Sequence, residues 1–331
     1  MSTIDAVLKS VGEKNDINID KVTVVGAGEV GMATAMSILC QGIASEVALV
    51  DMVEDRLMGQ LKDIQQGIMF LNAKVSASAD YAVTAGSKVC VITAGVRQKD
   101  KETRLELVQR NTDVLKVIVP NIVKYCPDCV IIIITNPCDI LAWVTWKLSG
   151  FPAGRIIGSG TTLDSARFRF LISEKLGVNP GSVHANIIAE HGESCVPLWS
   201  TINVGGARLR DRNPKIATEN DPENWLDLFQ NVIKSGYTVR TLKGFTNWAI
   251  GLSVAGLVKS VLKNDNKVYP VSTLAKGMCG IDQEVFLSLP CCLGRNGVTQ
   301  VIEVKLADEE RRLLKTSADK LKEVIDGVSL T

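Results

Sequence analysis

The chain has 331 residues, long enough for two domains, and 46% of it is apolar, enough for well-packed cores. Lysine plus arginine (37) nearly cancel aspartate plus glutamate (36), and no long run of like charge occurs, which speaks against nucleic acid or an anionic membrane as a partner. Nine irregularly spaced cysteines and the lack of an N-x-S/T sequon point to a reduced, intracellular setting.

Residues 1–20 read as an arm. Ile4, Val7, Leu8 and Val11 fall at helical spacing before "GEKNDINID" turns polar, so one apolar stripe is available to cover another surface, such as a second subunit. The segment has no long apolar core and is neither arginine-rich nor poor in acids, so neither a signal nor a transit peptide is expected.

From residue 21 strands and helices alternate. "KVTVVGAG" (21–28), "EVALVD" (46–51), "KVCVITAG" (88–95), "VIIIIT" (130–135) and "RIIGSG" (155–160) read as strands. Helices are expected over 29–42 and 105–125. "VIIIIT" is far too short to span a bilayer and suits a strand buried on both faces. The expected class is α/β: a Rossmann-type parallel sheet with helices on both faces over 21–160. A mixed α+β catalytic domain follows over 161–331. In the latter, helices are expected near 162–177, 222–234, 245–263 and 307–326, with strand-like "HANIIAEHG" and "VIEVKL". The lone CxxC, "CPDC" (126–129), reads as a Pro-Asp turn into the "VIIIIT" strand. A zinc site would need a second pair of ligands, which the sequence does not offer, so no metal is expected.

"VVGAGEVG" places Gly26, Gly28 and Gly31 in a G-x-G-x-x-G pattern directly after a strand and at the start of a helix. These glycines allow a tight turn, approach of a pyrophosphate to the backbone, and close packing of helix on strand. Twenty residues past Gly31, Asp51 ends the next strand. Its carboxylate suits ribose hydroxyls and repels a 2′-phosphate, which favours NAD over NADP.

The chain has two histidines, His184 and His191. His191, in "AEHGES", ends an apolar segment before a glycine. "LDSAR" puts Asp164 and Arg167 three apart on one helical face, a carboxylate to orient an imidazole and a guanidinium fork to hold a substrate carboxylate. "TNP" puts Asn136 at the carboxyl end of a central strand, where open α/β sheets bind ligands.

"GAGEVGMA", "VITAGVRQ", "TRLELVQRN", "TNPCDI", "GSGTTLDSARFRF", "AEHGES" and "GFTNWAIGLSVA" follow one another in an order that resembles the lactate/malate dehydrogenase family. The likeness covers essentially the whole chain, arm included, and is strongest to the animal-type lactate branch. It implies reversible pyruvate reduction with NAD in a cytosolic homotetramer that exchanges its arms. His191 would act as acid and base, Asp164 would hold its imidazolium, and Arg167 would bind the substrate carboxylate. Arg104 would polarise the carbonyl, Asn136 would bond the substrate oxygen near the nicotinamide, and Thr246 would border the substrate's small end. Ile250 would pack on the nicotinamide. Gly26, Gly28, Val30, Gly31 and Asp51 would bind the dinucleotide, and Thr93, Ala94, Gly95 and Arg97 would line its groove.

The loop "VRQKDKETR" (96–104) can then be read as a cover over substrate. In the family the selecting residue stands six before the loop arginine, and counting back from Arg104 gives Gln98, not Arg97. A neutral amide suits pyruvate and leaves a second carboxylate, as on oxaloacetate, without a cation. Departures from the family pattern are Lys101 and Ala189 where glycine is common, Phe245 for tyrosine and Gln66 for histidine. Arg169 and His184 stand where some relatives bind an anion between subunits. Two rivals remain open: a malate or bispecific 2-hydroxy-acid dehydrogenase, and a dehydrogenase-fold protein kept for a structural, crystallin-like role.

Overall fold

The computed structural model describes residues 20–96 and 102–330. The arm expected over 1–20 (Asp20 apart), Arg97, Gln98 and Lys101 lie outside the described residues.

Six parallel strands form the first half: β1 (Lys21–Val25), β2 (Glu46–Val50), β3 (Lys74–Ala77), β4 (Val89–Ile92), β5 (Val130–Ile133) and β6 (Ile156–Gly158). Their order is β6-β5-β4-β1-β2-β3, so the chain winds outward in both directions from β1. Where the winding reverses, between β1 and β4, the helices leave to opposite sides and a crevice opens at the carboxyl ends. β4 and β5 are buried at every position, "VCVI" and "VIII", because helices cover both faces.

The sheet does not stop at β6. An antiparallel unit, Lys267–Leu274, Phe286–Gly294 and Gly297–Val301, continues it through one pairing, Ser272 with Gly158, giving nine strands among the described residues. The strand-like reading of "VIEVKL" is corrected here: the strand is Gly297–Val301, and only its last residue belongs to that stretch. "HANIIAEHG" forms two very short strands, Val183–His184 and Ile187–Ile188.

Two apolar cores result. The large one lies around the nine-stranded sheet. The smaller one gathers Phe168, Ile172, Trp225, Phe229 and Val232, joining the helices Thr162–Leu176 and Trp225–Lys243. Phe168 meets Trp199 edge-on at 5.0 Å and Phe229 at 6.1 Å, a packing that fixes the rotation of the Thr162–Leu176 helix. That rotation decides where Asp164 and Arg167 point. Cys126 and Cys129 form the expected turn: the Cys129 N–H donates to the Cys126 carbonyl at 3.2 Å, and the Cys126 thiol donates to Thr84 O at 3.0 Å.

Candidate active site

The glycine-rich turn is built as its spacing predicts. Gly26 has φ +101°, and a Cβ on Gly31 would lie 1.7 Å from the Gly26 carbonyl oxygen, so the helix Glu29–Cys40 can pack here only without a side chain. Gly28 is different: nothing lies within 4 Å of a Cβ there, so the backbone stays open to a ligand. The first amides of the helix have no intrahelical acceptor and carry the positive end of its dipole, which suits a pyrophosphate. Asp51 leaves β2 and accepts the N–H of Ala27 at 2.7 Å and that of Val53 at 2.9 Å. These bonds fix the carboxylate at the edge of the turn while leaving lone pairs for hydroxyl donors. Thr93 bonds the carbonyls of Val25 and Gly26, so it supports the turn. Gly95 abuts Thr135 and Asn111, where a Cβ would approach Thr135 Cγ2 to 2.2 Å. The residues present fit a dinucleotide.

A cavity of about 440 Å³ lies beside this crevice. Val30, Asn136, Asp164, Arg167, His191, Thr246 and Ile250 all line it, drawn from residue numbers more than two hundred apart. His191 Nδ1 lies 2.5 Å from Asp164 Oδ2, and Arg167 Nη1 donates to Asp164 Oδ1 at 3.3 Å. One buried carboxylate therefore serves both cations. Since Nδ1 is committed to Asp164, Nε2 is the nitrogen left for a ligand. The charge of Asp164 lifts the imidazole pKa to about 8, against the opposing pull of burial. Burial works against the ionised Asp164 too, but the charge and bond of His191, with Arg167, hold its carboxyl below the usual range.

Asp139 also faces this turn. It is buried, its Oδ2 accepts the His191 backbone N–H at 2.8 Å, and burial pushes its carboxyl up. Ala189, two residues before His191, has φ +74°, a left-handed conformation that a glycine adopts without strain.

Arg104 stands apart from the cavity lining. It opens the helix Arg104–Tyr125, whose N-cap Thr103 forms a capping box with Glu106. Its guanidinium pairs with the buried Glu190, next to His191. Arg97 and Gln98 lie outside the described residues, so their place in the site is not described. Arg169 is engaged within its own chain, donating to Ala185 O at 2.8 Å and Asn186 Oδ1 at 2.9 Å, and His184 is exposed.

Sequence reasoning missed a wall of the cavity: Gly236, Tyr237 and Arg240 on the helix Trp225–Lys243. The helix was expected to end near 234, short of all three residues, so nothing in the pattern placed Gly236 here. A Cβ there would stand 3.9 Å from the Arg167 guanidinium. Asn111 was missed as well. Its Oδ1 accepts the Val96 N–H at 2.8 Å and its Nδ2 donates to the Asn136 carbonyl at 3.4 Å, tying the base of the loop to the Asn136 strand end.

Residues 20–158 match the family model described as the lactate/malate dehydrogenase NAD binding domain, and residues 161–329 the one described as the lactate/malate dehydrogenase alpha/beta C-terminal domain. The chain is similar to the L-lactate dehydrogenase B chains of Bos taurus and Homo sapiens, each 56% identical over 310 residues, or 93% of either chain. The L-lactate dehydrogenase B chain of Sceloporus undulatus is 55% identical over 323 residues, 97% of this chain and 96% of that one.

Proposed function

Because the chain belongs to the lactate/malate dehydrogenase family, we propose that it is an NAD-dependent L-lactate dehydrogenase interconverting pyruvate and L-lactate. The observation that carries this reading is the shared carboxylate of Asp164, which holds His191 and Arg167 together in one cavity beside the dinucleotide crevice.

Bound NADH supplies the hydride that the keto carbon receives. The protein's own groups do the rest. Arg167 binds the substrate carboxylate with two parallel N–H bonds, and Asn136 donates to the keto oxygen. His191, protonated, gives its Nε2 proton to that oxygen as the carbon is reduced, and takes it back in the reverse direction. Asp164 stabilises the imidazolium, and Arg104 opposes the negative charge growing on the oxygen. Thr246 borders the methyl group, Gln98 leaves a longer acid's second carboxylate unpaired, and Ile250 supports the nicotinamide. Gly26, Gly28, Val30 and Gly31 receive the pyrophosphate, Asp51 the ribose hydroxyls, and Thr93, Ala94, Gly95 and Arg97 form the groove. Residues 21–160 act as the dinucleotide half and 161–331 as the substrate half.

The same reading makes the enzyme a cytosolic homotetramer whose arms cover neighbouring subunits. Exposed apolar side chains support self-association, among them Met69 at 80%, Phe70 at 82% and Trp248 at 64% exposure. Among the described residues no helix is long and apolar enough to cross a membrane. The deciding experiment is a panel of 2-keto acids with NADH. Pyruvate should give the highest kcat/KM. A higher value for oxaloacetate would make the enzyme a malate dehydrogenase, and NADH binding without turnover of any 2-keto acid would favour a structural role.

A further inference from the structure

Glu190 is a buried carboxylate that the proton transfer does not use. Its side chain is 4% exposed, although it adjoins His191. One oxygen, Oε1, accepts from Nη2 of Arg104, 86 residues earlier in the chain. The other, Oε2, accepts from the hydroxyl of Ser194. That hydroxyl lies 2.9 Å from Ser317 Oγ, which also accepts the Glu190 backbone N–H at 3.2 Å. Ser317 is fully buried on the helix Asp308–Asp326. The carboxylate is thus held from behind by a rigid element and reaches forward to one guanidinium.

We propose that Glu190 is a positioning residue that aims Arg104 at the substrate carbonyl, as Asp164 aims His191. The proposal rests on the lactate dehydrogenase reading and deepens it. An ionised carboxylate this buried is stable only if paired, and among the described residues Arg104 is the cation that meets it. Asp139 and Glu193 add negative potential around the same guanidinium. Arginine carries five N–H donors in a planar fork. Engaging Nη2 fixes the plane of that fork and leaves the remaining donors for the reacting oxygen. A donor whose direction is set before the reaction stabilises developing charge without reorganising, and a misplacement of about 1 Å can cost about a hundredfold in rate.

The test is steady-state pyruvate reduction by the full-length enzyme, its Glu190→Gln variant, an Arg104→Gln variant and the double variant, alongside NADH titration and melting temperature. Glu190→Gln keeps the shape and removes the charge. It should lower kcat about tenfold to a hundredfold, change the pyruvate KM less than about threefold, and leave NADH affinity intact. In the Arg104→Gln background the same change should cost nothing further, because the group it aims is gone. Ser194→Ala, which loosens the carboxylate without removing it, should show a smaller loss with the same dependence on Arg104, and keeps the question open to measurement if Glu190→Gln fails to fold. Equal losses in both backgrounds would mean a purely structural residue. Unchanged or raised kcat would mean that Glu190 restrains Arg104 or leaves it alone. Either result overturns the proposal. If the unmodified enzyme itself reduces no pyruvate, the lactate dehydrogenase reading fails first, so the two failures are distinguishable.

Discussion

His191 and Asp164 meet Nδ1 to Oδ2 at 2.5 Å, and the carboxylate lifts the imidazole pKa to about 8. In the proposed mechanism, pyruvate reduction needs the imidazolium. Its kcat/KM should be level below about pH 8 and fall about tenfold per unit above it, while lactate oxidation rises over the same range. Asp164→Asn removes the largest cause, so the limb should move down toward the ordinary imidazole value of about 6.5, with a rate loss of at least about a hundredfold. The sign for stability follows from the raised folded-state pKa: the pair stabilises fully below about 6.5, and that contribution fades as pH rises through about 8. Initial rates from pH 5.5 to 9.5 check this, and a limb that stays put in the variant would remove Asp164 from its role.

Five of the six parallel strands were legible because they are short, β-branched and buried, as in "VCVI" and "VIII"; the edge strand Lys74–Ala77, with no fully buried residue, was not drawn. The antiparallel extension was not. Lys267–Leu274 and Phe286–Gly294 each contain a proline, which ordinarily argues against a paired strand. Pro270 and Pro290 stand directly opposite one another, so both missing donors fall at one rung of the ladder, a coincidence visible only once the register is known. The helices Glu54–Gln66 and Cys138–Ser149 were likewise not drawn from the pattern. In the second, eight of twelve residues are buried, which blurs the helical period. Within the site, the Asp164–Arg167 spacing and the glycine turn were readable because each is a local constraint. The Arg104–Glu190 pair was not, since nothing local links residues 86 apart.

Arg167 should be intolerant of lysine. Asp164 fixes the inner edge of its guanidinium, accepting from Nη1 at 3.3 Å. A lysine supplies a point charge in place of a planar fork and loses one charge-assisted bond, worth about 1.5–3 kcal/mol. The pyruvate KM of Arg167→Lys should rise about tenfold to a hundredfold, with NADH affinity unchanged in a fluorescence titration. A rise below about twofold would mean that the carboxylate is held elsewhere.

Gln98 lies outside the described residues, so its prediction rests on the loop count from Arg104. A cation there would neutralise the second carboxylate of oxaloacetate, which a neutral amide leaves unpaired. Gln98→Arg should move the ratio of kcat/KM for oxaloacetate over pyruvate up by at least about tenfold, an effect of about 1.4 kcal/mol. Arg97→Gln, which removes the neighbouring cation, should leave that ratio nearly unchanged. If Arg97 rather than Gln98 moves it, the register of the loop is shifted by one residue.

Ala189 is held at φ +74° by two backbone bonds to Ser288, donating at 2.8 Å and accepting at 2.9 Å. A left-handed conformation costs an L-residue about 1–2 kcal/mol. Glycine avoids that strain but leaves the unfolded chain freer, which offsets about 0.4–1 kcal/mol of the gain. Ala189→Gly should therefore stabilise the fold by about 0.5–1 kcal/mol and raise the melting temperature by about 1–4 °C, measured at fixed protein concentration with and without NADH. Because the two ladder bonds hold the backbone whichever residue is present, the turn carrying Glu190 and His191 should keep its shape and kcat should stay within about twofold. A lower melting temperature would show that the methyl group's packing against its fully buried surroundings outweighs the strain, and a large fall in kcat would show that the strained backbone itself places the imidazole.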